Sequence, residues 1–207
     1  LYIPEYNRIE DNTQTLAFMQ ANPFAILVSD SNEGLVATHL PVISQLVEGE
    51  FVLRAHVAKA NRQWDNLESD RESLVVFHGP HAFVSPGLYE VRESVPTWTY
   101  AAVHAYGRGR LLAEPAEVTG VLHDLIAAFD PSYLDQWAAV SEQYRERMLR
   151  NIVAFEIRAT RVETKFKLNQ NRSRVDQESV ITALAQSADT HVVEIARLMR
   201  EQGLGLK

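Results

Sequence analysis

Lys59, Asn61, Arg62 and Gln63 fall within five residues, in the stretch "RAHVAKANRQW" (residues 54–64), which Trp64 closes. An ammonium, a guanidinium and two carboxamides so close together are a dense set of hydrogen-bond donors. Such a set suits an anion, because a phosphate brings close to two negative charges and three acceptor oxygens. The donors follow directly on an alternating run. Phe51, Leu53, Ala55 and Val57 fall on one face of an extended segment, and Val52, Arg54 and His56 on the other. The pattern therefore predicts a strand whose end delivers the donors.

Two further stretches carry polar chemistry. "VPTWTY" (95–100) sets Trp98 and Tyr100 two residues apart, on one face if extended. Such a pair serves either as core packing or as a platform beside a flat ring system. "KLNQNR" (167–172) gathers amide and cationic donors, which suits a solvated loop or the polar edge of a heteroaromatic ring. Of the seven histidines, His39, His56, His78, His81 and His104 lie in the strand-rich part. Imidazole is a common metal ligand. Within "HGPH" (78–81), however, Pro80 forces a turn, and no carboxylate or third histidine stands at a recognisable spacing, so no metal site is expected. Ser29, Ser44, Ser73 and Ser85 lack a nucleophile-elbow context. Neither phosphate-binding glycine fingerprint occurs, neither GxGxxG after a strand nor GxxxxGK[ST].

The elements that must position these residues follow from periodicity. A helix is expected over 12–21, with Asp11 as its cap and Asn22-Pro23 as its stop. Strands are expected at 24–30, at 35–43 with an interruption at Pro41, in a hairpin through Glu48-Gly49-Glu50, at 73–79 with a continuation past Gly79-Pro80, at 100–112 and at 153–163. Gly107 and Gly109 mark a bulge or a close approach. Short helical turns are expected at 60–68, a clear amphipathic helix from Pro115 to Phe129, another over 136–150, and two in the tail. Hairpins followed by helices predict an antiparallel barrel with helices outside, and not alternating βαβ units.

With 207 residues the chain is long enough for one large domain, or one domain with an appendage. No apolar run approaches a membrane span, and no signal-peptide pattern opens the chain, so no membrane partner is expected. The absence of cysteine excludes disulfides, thiolate metal sites and a cysteine nucleophile, and is compatible with the cytoplasm. A net charge of −7 argues against a generally basic nucleic-acid binder. Locally, nine Lys/Arg face three acids between Arg145 and Arg174, an excess of +6 that leaves −13 for the remainder. This reads either as a solvated face or as a polyanion patch.

"YIPEYN", "PFAILVS", "ATHLP", "HVAKANRQW", "VFHGPHAFVSP", "VPTWTY" and "KLNQNR" occur in this order. Together they resemble the PaiB family of FMN-binding split-barrel proteins, described as negative transcriptional regulators. The likeness runs from about residue 2 to about residue 185. It implies a mainly β fold with α, a six-stranded antiparallel split barrel of the pyridoxamine-phosphate-oxidase type with flanking helices. Residues 1–185 would form the FMN-binding domain and 186–207 a helical extension of it. FMN would bind non-covalently where the two subunits of a homodimer meet. Thr38, His39, His56, Lys59 and Asn61 would hold the phosphate and ribityl chain. Thr97, Trp98 and Tyr100 would lie near the ring, with Lys167, Gln170 and Asn171 reaching in from the C-terminal loop. The chain departs from the family pattern at Leu88 (commonly Trp), Thr99 (Asn) and Asn169 (Ser), around the ring side. The implied output is gene regulation, with direct DNA binding left open because no helix-turn-helix carries a basic recognition helix. The alternatives are a flavin-dependent oxidoreductase or flavin reductase and a haem-binding split-barrel protein; no catalytic residue is assigned.

Overall fold

The computed structural model describes residues 1–68 and 71–205. The last two residues of the expected 186–207 extension therefore lie outside the described residues. The strands are β1 (Arg8–Ile9), β2 (Phe24–Ser31), β3 (Gly34–Pro41), β4 (Ile43–Val47), β5 (Glu50–Ala58), β6 (Ser73–Val84), β7 (Thr97–Leu112) and β8 (Ile152–Lys167). The α-helices are α1 (Asn12–Ala21), α2 (Trp64–Leu67), α3 (Pro115–Phe129), α4 (Leu134–Ala139), α5 (Glu142–Leu149), α6 (Arg174–Ala185) and α7 (Thr190–Glu201).

The sheet order is β3-β2-β6-β7-β8-β5-β4, with β1 on β8. The expectation of six strands is thus corrected to eight among the described residues, in an open antiparallel sheet with β3 and β4 at the ends of the order. Two local causes account for the count. The Val42 N–H still donates to Pro23 O (2.9 Å), one step beyond the Phe24–Pro41 pair in the same register, and from Ile43 the chain pairs with β5 instead, Ile43 opposite Arg54. The short β1 adds Arg8 opposite Lys165 and Ile9 opposite Thr164.

The chain forms two compact units. One comprises Asn12–Phe77 and His104–Val162. Its alternating strands bury Ala25 and Leu27 of β2, and Phe51, Leu53, Ala55 and Val57 of β5, on the predicted faces. Helix α3 lays Val121 and Leu125 on Leu112 and Ala154. In the β2–β3 hairpin, Gly34 takes a φ of +114°, open only to glycine at low cost, while Ser31 Oγ donates to Gly34 O (2.7 Å). Gly107 is a close approach: a Cβ there would sit 2.3 Å from the backbone oxygen of Arg158. The single helix expected over 136–150 is two, because Val140 is extended and Ser141 opens α5 by accepting from Tyr144 N (3.4 Å).

The other unit comprises Leu1–Asp11, His78–Val103 and Glu163–Lys207. It buries Ala82, Val84, Ala101, Val103, Phe166 and Leu168 from its strands, and α6 packs on α7 through faces that include Ile181, Leu184, Ile195 and Met199. Helix α6 is capped by Ser173 Oγ, which accepts from Asp176 N (3.1 Å).

Candidate functional site

The expected site residues fall into two groups, one in each unit. The first comprises Thr38, His39, His56, Lys59 and Asn61. Thr38 pairs with Leu27 across the β2–β3 ladder and shares its inward side, whereas His39 pairs with Ile26, is exposed, and stacks on Phe24 with ring centroids 6.2 Å apart. Adjacent strand residues face opposite ways, so the two residues predicted together serve opposite faces. Thr38 and Asn61 do meet: Asn61 Nδ2 donates to Thr38 Oγ1 (2.8 Å).

The loop after β5 is held by its own backbone. The Lys59 N–H donates to Asn151 O (2.8 Å), the Lys59 carbonyl accepts from Trp64 Nε1 (3.0 Å), and the Asn61 N–H returns to Ala58 O (2.8 Å). Arg62 is occupied, paired with Asp65 and lying over the Trp64 ring at 5.2 Å. The Lys59 side chain is exposed and forms no ion pair with a described residue. His56 is half-buried on β5, and its Nδ1 is buried without a hydrogen-bond partner among the described residues. Burial holds the His56 pKa below the ordinary imidazole value, so the ring is neutral at pH 7 and keeps one N–H to donate.

The same unit carries a charge cluster beneath α3. The buried Glu156 carboxylate accepts from Arg54 Nε (2.8 Å) and lies within ion-pair distance of Arg110 (3.6 Å) and Arg158 (3.4 Å). Burial alone would push its pKa up. The Arg54 hydrogen bond and the charges of Arg54, Arg110 and Arg158 outweigh that and hold it below the ordinary carboxylate value.

The second group comprises Thr97, Trp98, Tyr100, Lys167, Gln170 and Asn171. Lys167 Nζ donates to Thr97 Oγ1 (2.6 Å). Trp98 is 55% exposed and contacts His81 (5.9 Å) and Phe83 (5.8 Å) ring to ring, so more than half of the indole lies outside the packing of this chain. Tyr100 carries the Lys165 ammonium over its ring at 5.1 Å. Gln170 folds back on its own loop: Oε1 accepts from Leu168 N (2.7 Å) and Nε2 donates to Phe166 O. Asn171 is exposed.

The three departures from the family pattern have separate local settings. Thr99 is buried and donates to Ala82 O (3.1 Å). Asn169 takes a φ of +65°, a left-handed conformation that asparagine tolerates better than most residues. Leu88 lines a groove with Val175 and Thr182 of α6.

Four residues have roles that the sequence does not announce. Gln63 and Gln177 are buried amides that bind backbone carbonyls, Gln63 those of β2 and β3, and Gln177 Nε2 those of Asn169 (3.2 Å) and Arg172 (3.1 Å) in the loop after β8. Buried Asp176 accepts from Glu90 N (2.8 Å). His191 on α7 brings a third imidazole to His81, 5.6 Å away, while His78 lies 5.1 Å from His81. Burial, then the neighbouring His81 and His191, lower the His78 pKa. Among the described residues no group of three or more histidine or carboxylate side chains is arranged to hold a metal ion. The basic excess of residues 145–174 is dispersed: Arg158 pairs with Glu50, Arg161 with Glu72, and Lys165 donates to Tyr2 O (3.0 Å).

Comparison with known proteins gives one family. The model described as "Putative FMN-binding domain" matches residues 1–161. The chain is 33% identical over 205 residues to the protease synthase and sporulation protein PAI 2 of Bacillus subtilis, covering 98% of each chain. Among solved structures it is similar to the flavocytochrome Anf3 of Azotobacter vinelandii (TM-score 0.63, 15% identity, 80% of this chain and 72% of that one). It is also similar to an FAD- and haem-binding protein of Mycobacterium smegmatis (TM-score 0.61, 14% identity, 78% and 73%). At those identities the two structures speak for the fold alone.

Proposed function

Since the chain belongs to this FMN-binding domain family, with FMN as its cofactor, we propose that it is a PaiB-type regulatory flavoprotein that holds FMN non-covalently through the donors at the end of β5. The observation that carries the assignment is the pairing of an ammonium and an imidazole that both lack a partner. Lys59 forms no ion pair with a described residue, and His56 Nδ1 is buried with no hydrogen-bond partner among the described residues. A buried polar atom left unpaired costs about 1–3 kcal/mol, which a bound ligand would recover, a phosphate oxygen if Nδ1 carries the proton or a polyol hydroxyl in either tautomer. The residues present therefore fit the group. When bound, FMN supplies a ring that accepts and returns electrons, and the chain's part is to bind, orient and shield it.

In this reading Lys59 neutralises the phosphate as a point charge, Asn61 donates to the phosphate and His56 to the ribityl chain. Thr97, Trp98 and Lys167 are assigned to the ring side by the family resemblance alone; the exposed indole is an apolar face that a flat ring can stack on. His39, Tyr100, Gln170 and Asn171 belong to the proposed site through the family resemblance. Residues 1–185 are the binding domain, and α7 belongs to its extension.

The working form is a homodimer in the cytoplasm. Support comes from the apolar side chains left on β2 and β3, Phe24 (65% exposed) and Leu35 (78%), at a sheet end that one chain does not cover. Sedimentation showing only a 23.4 kDa species at micromolar concentration would remove that part. Regulation through direct DNA contact is read out by mobility shift at several salt concentrations.

The test of the cofactor is calorimetric titration of the purified protein with FMN and with riboflavin, followed by a visible spectrum. Saturable 1:1 binding that prefers FMN supports the reading. No binding of either flavin, or one intense sharp haem band in its place, overturns it.

A further inference from the structure

Gln63 sits in the most polar stretch of the chain and is 2% exposed. Its carboxamide is fully engaged. Oε1 accepts from Thr38 Oγ1 (2.5 Å), and Nε2 faces Leu27 O (3.0 Å), Ser29 Oγ (3.2 Å) and Val36 O (3.2 Å). The Gln63 backbone N–H donates to Asn61 Oδ1 (3.1 Å), and Asn61 Nδ2 donates to Thr38 Oγ1 (2.8 Å). These bonds close a ring through Thr38, Gln63 and Asn61.

The polarity of the ring is set by chemistry. Two of the acceptors at Nε2 are backbone carbonyls of β2 and β3, which cannot donate, so the amide end must face them and the oxygen must face Thr38. The Thr38 proton is thereby committed to Gln63. A hydroxyl has one proton, so Thr38 Oγ1 can only accept at its remaining lone pairs, and Asn61 fills one of them. Asn61 keeps one Nδ2–H outside the ring.

We propose that Gln63 is the positioning residue of the phosphate end of the site. It aims the remaining Asn61 N–H and fixes the loop that bears Lys59, while Thr38 works through Gln63 and gives no proton to the ligand. This inference rests on the FMN reading above. It assigns an order among the donors that the family resemblance does not: Asn61 and Lys59 touch phosphate, and Thr38 and Gln63 hold them in place.

The test compares FMN with riboflavin, which lacks the phosphate, in the wild type, Gln63→Glu, Thr38→Val and Thr38→Ser. Gln63→Glu keeps the shape but turns an acceptor toward two carbonyls. Thr38→Val removes the hydroxyl link at a site that is only half-buried, and decides the matter if Gln63→Glu does not fold. The FMN-over-riboflavin affinity ratio falls about tenfold or more in both variants, riboflavin affinity stays within about twofold, and Thr38→Ser restores the ratio. If Gln63 were merely structural, both flavins would weaken by one factor and only the melting temperature would fall. An unchanged ratio in folded Thr38→Val overturns the proposal while the FMN reading stands. A wild type with no preference for FMN overturns both.

Discussion

Truncating two lysines separates binding from folding. Lys59 is exposed, and its ammonium pairs with no described side chain, so Lys59→Ala removes little from the free protein, within about 0.5 kcal/mol. If the ammonium meets a phosphate, the loss of one charge-assisted contact costs about 1.5–3 kcal/mol of affinity, roughly one to two decades in Kd. Lys165 is the opposite case. It is buried, its Nζ donates to Tyr2 O (3.0 Å), and it lies over the rings of Tyr100 (5.1 Å) and Tyr2 (5.7 Å). Lys165→Ala should therefore lower stability by about 1.5–3 kcal/mol, through the lost bond and the stem's lost packing, with a smaller effect on FMN. The assay is a flavin-fluorescence titration together with urea unfolding on the same preparations. Raising the salt should weaken the wild type more than Lys59→Ala, because the missing contact is the screened one. Equal losses of FMN affinity in the two variants would refute the reasoning.

Glu156 should make stability depend on acidity. A carboxyl whose folded-state pKa is depressed contributes stability that is full above the ordinary carboxylate range and is lost as pH falls through the depressed value. The stability gap between wild type and Glu156→Gln, measured by urea unfolding, should accordingly be wide at pH 7 and narrow on acidification; a gap constant with pH would remove the ionic account. Gly107→Ala should cost about 1–3 kcal/mol, since the new Cβ meets a backbone oxygen that cannot swing aside, and thermal unfolding checks it. Trp98→Leu should partly restore the emission of bound FMN at little cost in melting temperature, because the indole is more exposed than buried; a large drop in melting temperature with quenching intact would return Trp98 to a packing role.

What the sequence makes legible is what depends on neighbours along the chain. The β5 alternation, the Pro115 start of α3 and the Asn22-Pro23 stop of α1 each follow from a local pattern, and the structure reproduces them. Gly107 is readable as a close approach because glycine weakens a strand interior, and a strand keeps it where a bulge or a neighbouring backbone leaves no room for a side chain. What the sequence leaves illegible has another origin. Thr38 and His39 stand side by side in "ATHLP", and the partners that the β2–β3 pairing gives them, one inward and the other exposed on Phe24, cannot be read from their neighbours along the chain. The count of six comes from the family resemblance; the local pattern already breaks the chain at Pro41, and the strand it does not reveal is β1, two residues whose pairing is with Lys165 and Thr164 of β8.

The same reasoning explains why Gln63 reads, in the sequence, as one donor among several. There it is a polar residue in a polar loop, and a polar loop predicts solvent. Its burial depends on Leu27, Ser29 and Val36, three acceptors carried by paired strands that lie far from it in the chain. Within β2 and β3 themselves nothing marks those acceptors, because every strand has carbonyls. The signal exists only in their combination: acceptors brought together by two paired strands, and a loop that ends in an amide long enough to reach them. A donor-rich loop is thus two populations, one that holds the loop and one that is held out for a ligand. On the proposed reading Gln63 and Arg62 belong to the first and Lys59 to the second, and that division is what would turn a cluster of charges into a directed site.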